Sequence, residues 1–131
     1  MKYSISIFIV LLFITSTAVS QNASQIVIWE VETIDLGNVK KGDKAANSYS
    51  FINISDQPVE IDIVSTCVCT EAKWTQGKIA PGEKGEINFV FDSSQKDHEE
   101  AIDVDVYFLN VETKTERPFS SFLSYTFQFA K

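Results

Sequence analysis

Period-two alternation of apolar and polar residues runs through most of this chain, and no 3.6-residue stripe competes with it. In Ala101–Leu109, the side chains of Ile102, Val104, Val106 and Phe108 interleave with Asp103 and Asp105. A strand with that order puts four apolar side chains on one face and its carboxylates on the other. Pro118–Phe129 repeats the pattern, with Phe119, Leu123, Tyr125, Phe127 and Phe129 set against Ser120, Ser124, Thr126 and Gln128. Ile87, Phe89 and Phe91 alternate with Glu86, Asn88 and Val90, and Val59, Ile61 and Ile63 with Glu60 and Asp62. Tyr49 and Phe51 begin another run, and Ile26, Ile28, Trp29 and Val31 mark an opening strand. Compact polar turns punctuate these runs at Lys41-Gly42-Asp43, Ser55-Asp56-Gln57-Pro58 and Ala80-Pro81-Gly82-Glu83. Asn110–Arg117 joins the last two strands as a hairpin with a long loop. About seven short strands and no helix predict an all-β fold of two antiparallel sheets packed face to face.

Only the first twenty residues escape this pattern. Lys2 precedes an apolar stretch from Ile5 to Ile14, and small residues follow, with Ala18 and Ser20 in the small–x–small positions of a cleavage site before Gln21. The apolar stretch is shorter than the roughly 20 residues a spanning helix prefers. Residues 1–20 are therefore predicted to be a signal peptide, and residues 21–131 a single exported domain, periplasmic or extracellular. Gln21–Gln25 reads as a flexible leader ahead of the first strand.

The 131-residue chain carries 18 acidic against 11 basic residues, a net charge of −7. That balance argues against nucleic acid and, after signal cleavage, against anionic membranes as partners. One histidine, His98, sits in the polar loop "KDHEE" and leaves no basis for a Ser-His-Asp arrangement. Asp97, Glu99, Glu100, Asp103 and Asp105 fit no calcium-loop spacing and read as an acidic solvent face. Asn22-Ala23-Ser24 and Asn53-Ile54-Ser55 match the glycosylation sequon.

The stretch from Ile34 to Asp92 also carries an ordered set of residues: Gly37 and Gly42, Phe51 with Asn53, Pro58 and Ile61, Cys67-x-Cys69-Thr70, then Pro81, Gly82 and Gly85. In this it resembles an uncharacterised bacterial secreted family with a Cys-Gly-Cys-Thr motif, built on an immunoglobulin-like sandwich and related in fold to Hydin-type and major-sperm-protein-like domains. The resemblance implies an immunoglobulin-like β-sandwich and brings no established activity with it. Val68 stands where that family has glycine. A β-branched residue does not readily adopt left-handed backbone, so a tight left-handed turn is not expected there. Gly37 and Gly42 are expected to flank a turn between early strands, Asn53 to bond neighbouring backbone at a strand end, and Pro81-Gly82 to form a type II turn.

Cys67 and Cys69 are the one constellation with chemical promise. On an extended strand their β-carbons would lie roughly 6–7 Å apart, against about 3.8 Å in a disulfide, so an internal bridge requires a bent backbone. A bridge forced on such a strand would be strained and easily reduced. Three readings stand side by side. The pair is a set of structural thiols or a local disulfide; it is a soft-metal site, with Cu(I) as the metal two thiolates can hold; or it exchanges disulfides with a partner protein or between copies of this chain. No other cofactor is indicated. The expected function is binding rather than catalysis: a sandwich that presents a sheet edge or loop end to another envelope or secreted protein. The alternative is a thiol-redox or Cu(I)-binding envelope protein working through Cys67 and Cys69.

Overall fold

The computed structural model describes Ala23 and residues 26–131; the leader predicted over residues 1–20 lies outside the described residues. Eight strands follow in order: β1 (Val27–Trp29), β2 (Thr33–Val39), β3 (Lys44–Asn53), β4 (Ile61–Thr66), β5 (Thr70–Trp74), β6 (Lys84–Asp92), β7 (Ala101–Val111) and β8 (Pro118–Phe129). They form two four-stranded sheets, β1-β3-β6-β5 and β2-β8-β7-β4. This is an immunoglobulin-like β-sandwich: the alternation predicts its two packed sheets, and the family resemblance implies its immunoglobulin-like form.

Three local expectations are corrected. The opening strand is split, because the chain leaves the first sheet after Trp29 and enters the second at Thr33, which raises the count from about seven strands to eight. One consequence is that β2 runs parallel to β8, while the other ladders are antiparallel. In β1 the inward residues are Val27 and Trp29, and Ile28 and Val31 are exposed. A bulge between Ile61 and Ile63 reverses the alternation of β4, so that Val64 is buried and Ile63 is exposed. Gly37 lies inside β2 at an irregularity in the β2–β8 register, with φ of +69°, rather than beside a turn.

The core is a column of rings between the sheets. Tyr49 stacks on Phe89 at 5.4 Å and Phe89 on Tyr125 at 4.7 Å, and Phe91 lies 4.4 Å from Phe127. Trp29 and Phe51 meet at 4.8 Å near one end of this column. Ile102, Val104, Val106 and Phe108 are all buried, as are Ile87 and Leu123. Large rings meeting in offset or edge geometry add to the burial of their area, so the two sheets are held chiefly by aromatic contact. Within the segment predicted to be a flexible leader, Ala23 is fully buried and its carbonyl accepts from the Ile26 amide.

Both ends of the sandwich are fastened by polar groups. Asn53 is 1% exposed, and its amide donates to the carbonyls of Gln57 and Ile79 while its oxygen accepts from the Ser55 amide. A side chain so engaged cannot carry a glycan. At Ala80–Glu83 the Glu83 amide closes onto the Ala80 carbonyl and Gly82 takes φ of +82°, the turn expected of Pro81-Gly82. At the other end the buried Ser93 hydroxyl donates to the Lys40 and Asp43 carbonyls, pinning the loop after β6 to the β2–β3 turn.

Candidate functional site

Thr66 ends β4 in one sheet and Thr70 opens β5 in the other, so the three residues between must carry the chain across the sandwich. They do so as a tight turn in which the Thr70 amide donates to the Cys67 carbonyl at 3.0 Å. Glu116 is the one non-glycine residue with positive φ among the described residues, so Val68 turns the chain with ordinary negative φ. As expected where valine replaces glycine, there is no left-handed backbone here, and the turn forms without it. Val68 is 94% exposed at its tip.

That bend brings the cysteine α-carbons to 5.0 Å, and Cys67 and Cys69 are joined in a disulfide. The two sulfurs occupy different surroundings. Cys69 is 1% exposed; its Sγ lies 3.4 Å from the Thr70 hydroxyl and 3.9 Å from that of Tyr125, and those hydroxyls are 2.6 Å apart. Cys67 is half-buried, and its Sγ accepts the Cys69 amide at 3.0 Å. Burial pushes the Tyr125 hydroxyl up to about 12, with the Thr70 contact pulling the other way, so it stays protonated beside Cys69 at neutral pH. The Asp92 amide, donating to the Cys69 carbonyl, ties the turn to the end of β6.

Cys67 also borders an open groove lined by Ser65, Thr66, Lys96, Glu100, Asp103 and Asp105. Burial, and then the like charge of Asp103, push the Asp105 carboxyl above its ordinary value. Glu100 is held below its usual range, first by its hydrogen bond from Lys96. His98 is exposed, with Nε2 3.6 Å from Glu100 Oε2. Among the described residues no three groups of the His, Cys, Asp and Glu kind converge in a metal-holding cluster. The two sulfurs of a disulfide are not thiolates, so holding Cu(I) would first require reduction.

A second feature lies on β8. Residues 124–126 have β7 on one side and β2 on the other, and Gln128 and Phe129 continue the pairing with β2. Among the described residues the strand's N-terminal half, 118–123, pairs with β7 alone, because the chain preceding β2 has crossed to the other sheet. The Ser124 amide donates away from β7, to the Glu32 carbonyl. Residues two and four positions earlier share that orientation, so the backbone N–H and C=O groups of Phe122 and Ser120 also point outward from the sheet. Phe122 is 68% exposed beside this free edge, and Glu32, whose carbonyl takes the Ser124 amide, lies where the chain changes sheets. On the same outer face Ile63 pairs with Tyr107, and Leu109 is also exposed. The sequence marks Cys67 and Cys69 unaided. The free edge is invisible in it, since strand pairing across ninety residues has no local signal; the exposed Phe122 breaking the serine row of β8 is its one trace.

Residues 27–120 match the model of a family described as Protein of unknown function (DUF1573). No curated protein matches the chain. Among solved structures, the ASH/PapD-like domain of human CEP192 superposes with a TM-score of 0.67 at 10% identity, over 100% of this chain and 99% of that one. The VesB protease of Vibrio cholerae gives 0.64 at 12% identity, over 82% of this chain but 33% of the protease, so the chain spans a third of that protein. WR4, a major-sperm-protein family member of C. elegans, gives 0.54 at 7% identity, over 80% and 98%. At these identities the likeness is one of fold.

Proposed function

The chain belongs to the DUF1573 family of proteins of unknown function, and from that premise we propose that it is an exported, non-catalytic binding module that takes an extended segment of another envelope or secreted protein onto the free edge of β8. The observation that carries the reading is the half-paired β8, whose Ser120 and Phe122 backbone groups face outward beside an exposed aromatic ring. Unpaired strand groups of this kind recruit a further strand, with main-chain hydrogen bonds giving affinity and alternate side chains giving specificity. Glu32 and Asp105 beside the edge favour a segment in which apolar and basic residues alternate. The PapD-like and major-sperm-protein-like neighbours, sandwiches of nearly this whole length, support a binding or structural module. Export rests on the signal-like residues 1–20, and no helix among the described residues is long and apolar enough to cross a membrane.

The test is Ser120→Pro. Proline there removes a donor aimed away from β7, so the ladder within the sheet survives while the free edge is blocked. A displayed library of twelve-residue peptides is selected on the parent chain, and the enriched peptides are measured on both proteins. The expected result is enrichment of alternating apolar and basic sequences that protect the Phe122 amide from exchange and bind Ser120→Pro at least about tenfold more weakly, a loss of roughly 1.4 kcal/mol. Absence of enrichment, or equal binding by the two proteins, would overturn the proposal.

A further inference from the structure

We propose that the Cys67–Cys69 disulfide is a thiol–disulfide exchange site that oxidises a dithiol, with Cys67 as the sulfur attacked and Cys69 as the buried leaving sulfur. The assignment follows from the unequal placement of the two atoms. Cys67 borders an open groove, whereas Cys69 is closed off beneath Tyr125. An incoming thiolate can therefore reach Cys67 from the groove and displace Cys69 toward the interior.

Both products of cleavage find donors already in place. The Cys69 amide, 3.0 Å from Cys67 Sγ, is positioned to stabilise a Cys67 thiolate. The Thr70 hydroxyl, 3.4 Å from Cys69 Sγ, can turn its proton toward a Cys69 thiolate, with the protonated Tyr125 hydroxyl behind it. In the first step a partner thiolate bonds to Cys67 Sγ, the Cys67–Cys69 bond breaks, and its electron pair leaves on Cys69, which then takes a proton from water. In the second step the partner's other thiolate attacks its own sulfur in the mixed disulfide and releases Cys67, which is protonated in turn. Two electrons and two protons pass from the partner dithiol to this chain, and the partner gains a disulfide.

The fold does not depend on the bond that is exchanged. The turn keeps its Thr70-to-Cys67 hydrogen bond in either state, and β4 and β5 are held separately by β7 and β6. The closed loop spans a sequence separation of two, so the bridge constrains little of the unfolded chain. Selectivity comes from the groove. Glu100, Asp103 and Asp105 outnumber Lys96, so a dithiol flanked by basic residues is preferred over anionic thiols such as glutathione.

The experiment uses the oxidised full chain and two synthetic dithiol peptides, one with lysine flanks and one with glutamate flanks. Acid quenching, alkylation and mass analysis follow both disulfides. The expected results are oxidation of the lysine-flanked peptide about tenfold faster than the glutamate-flanked one at low salt, and a cooperative melt retained after reduction. Cys69→Ala should form a mixed disulfide with the oxidised lysine-flanked peptide about tenfold faster than Cys67→Ala does. Should either variant fail to fold, partial alkylation of the reduced parent chain answers the same question, with Cys67 expected to label first. A disulfide that survives both dithiols, equal or reversed reactivity of the two sulfurs, or unfolding on reduction would each sink the proposal.

Discussion

Replacing Asn53 should cost far more than its place at the end of an exposed-looking strand implies. Its side chain makes four polar contacts: donation to Gln57 and Ile79 carbonyls at 2.7 and 3.0 Å, and acceptance from the Ser55 amide and hydroxyl at 2.9 and 2.7 Å. In Asn53→Ala two of those partners keep another donor, since the Ile79 carbonyl also accepts from Val59 and the Gln57 carbonyl from the Ser55 hydroxyl. The loss is therefore close to the net worth of the bonds, about 1 kcal/mol each, rather than the full penalty of orphaned groups. The Ser55 hydroxyl keeps the Gln57 carbonyl as acceptor, so three of the four bonds are lost outright, roughly 3 kcal/mol in all. Asn53→Asp keeps the shape but aims a carboxylate oxygen at two carbonyls in a buried site, which should cost at least about 4 kcal/mol at pH 7. The new carboxyl would have its folded-state pKa above the unfolded value of about 4, so the penalty is absent below about pH 4 and grows as pH rises from there through the folded value. Urea unfolding followed by tryptophan fluorescence measures both. With a slope near 1.5 kcal/mol per molar urea, Asn53→Ala should lower the midpoint by about 2 M. A shift under about 0.5 M for Asn53→Ala, or an Asn53→Asp protein as stable at pH 7 as at pH 4, would refute the reasoning.

Two further predictions concern the core. A β-carbon at Gly85 would sit 2.8 Å from Ile79 Cδ1 and closer still to the ring of Phe51, which is itself wedged against Trp29 and Phe108. Gly85→Ala should thus destabilise the fold by about 2 kcal/mol in the same urea assay, despite alanine's better backbone propensity. Burial raises the hydroxyl pKa of Tyr49 and, to about 12, that of Tyr125. Groups shifted upward in this way contribute full stability below pH 10 and lose it as pH rises toward 12 and beyond. Melting temperature should therefore fall steeply above pH 10, and Tyr125→Phe should make that fall shallower; an unchanged alkaline profile would contradict the assignment.

Much of the architecture was legible in the chain because it is written locally. A strand shows its buried face through every second side chain, so Ile102–Phe108 and Phe119–Phe129 declare both their extended form and their inward rows. Turns at Gly42 and Pro81-Gly82 are likewise set by the conformational range of two or three adjacent residues. The failures have a common cause. The bulge that turns Ile63 outward and Val64 inward depends on how β4 meets β7, and the placement of Gly37 within a strand depends on its pairing with β8. Neither partner is near in sequence.

The candidate sites divide in the same way. Two cysteines one residue apart announce themselves in any reading of the sequence, and with them the requirement for a bend if they are to join. Which sulfur faces the groove and which lies against Tyr125 is decided by the crossing of β4 into β5 and by a ring 56 residues away. The free edge of β8 depends still more on assembly, since it exists because β1 and β2 lie in different sheets. Residue order settles side-chain alternation and turn chemistry, because these involve neighbours along the backbone. Exposure, unpaired edges and the asymmetry of the disulfide arise only when distant segments come together, because each is a property of what a residue is packed against.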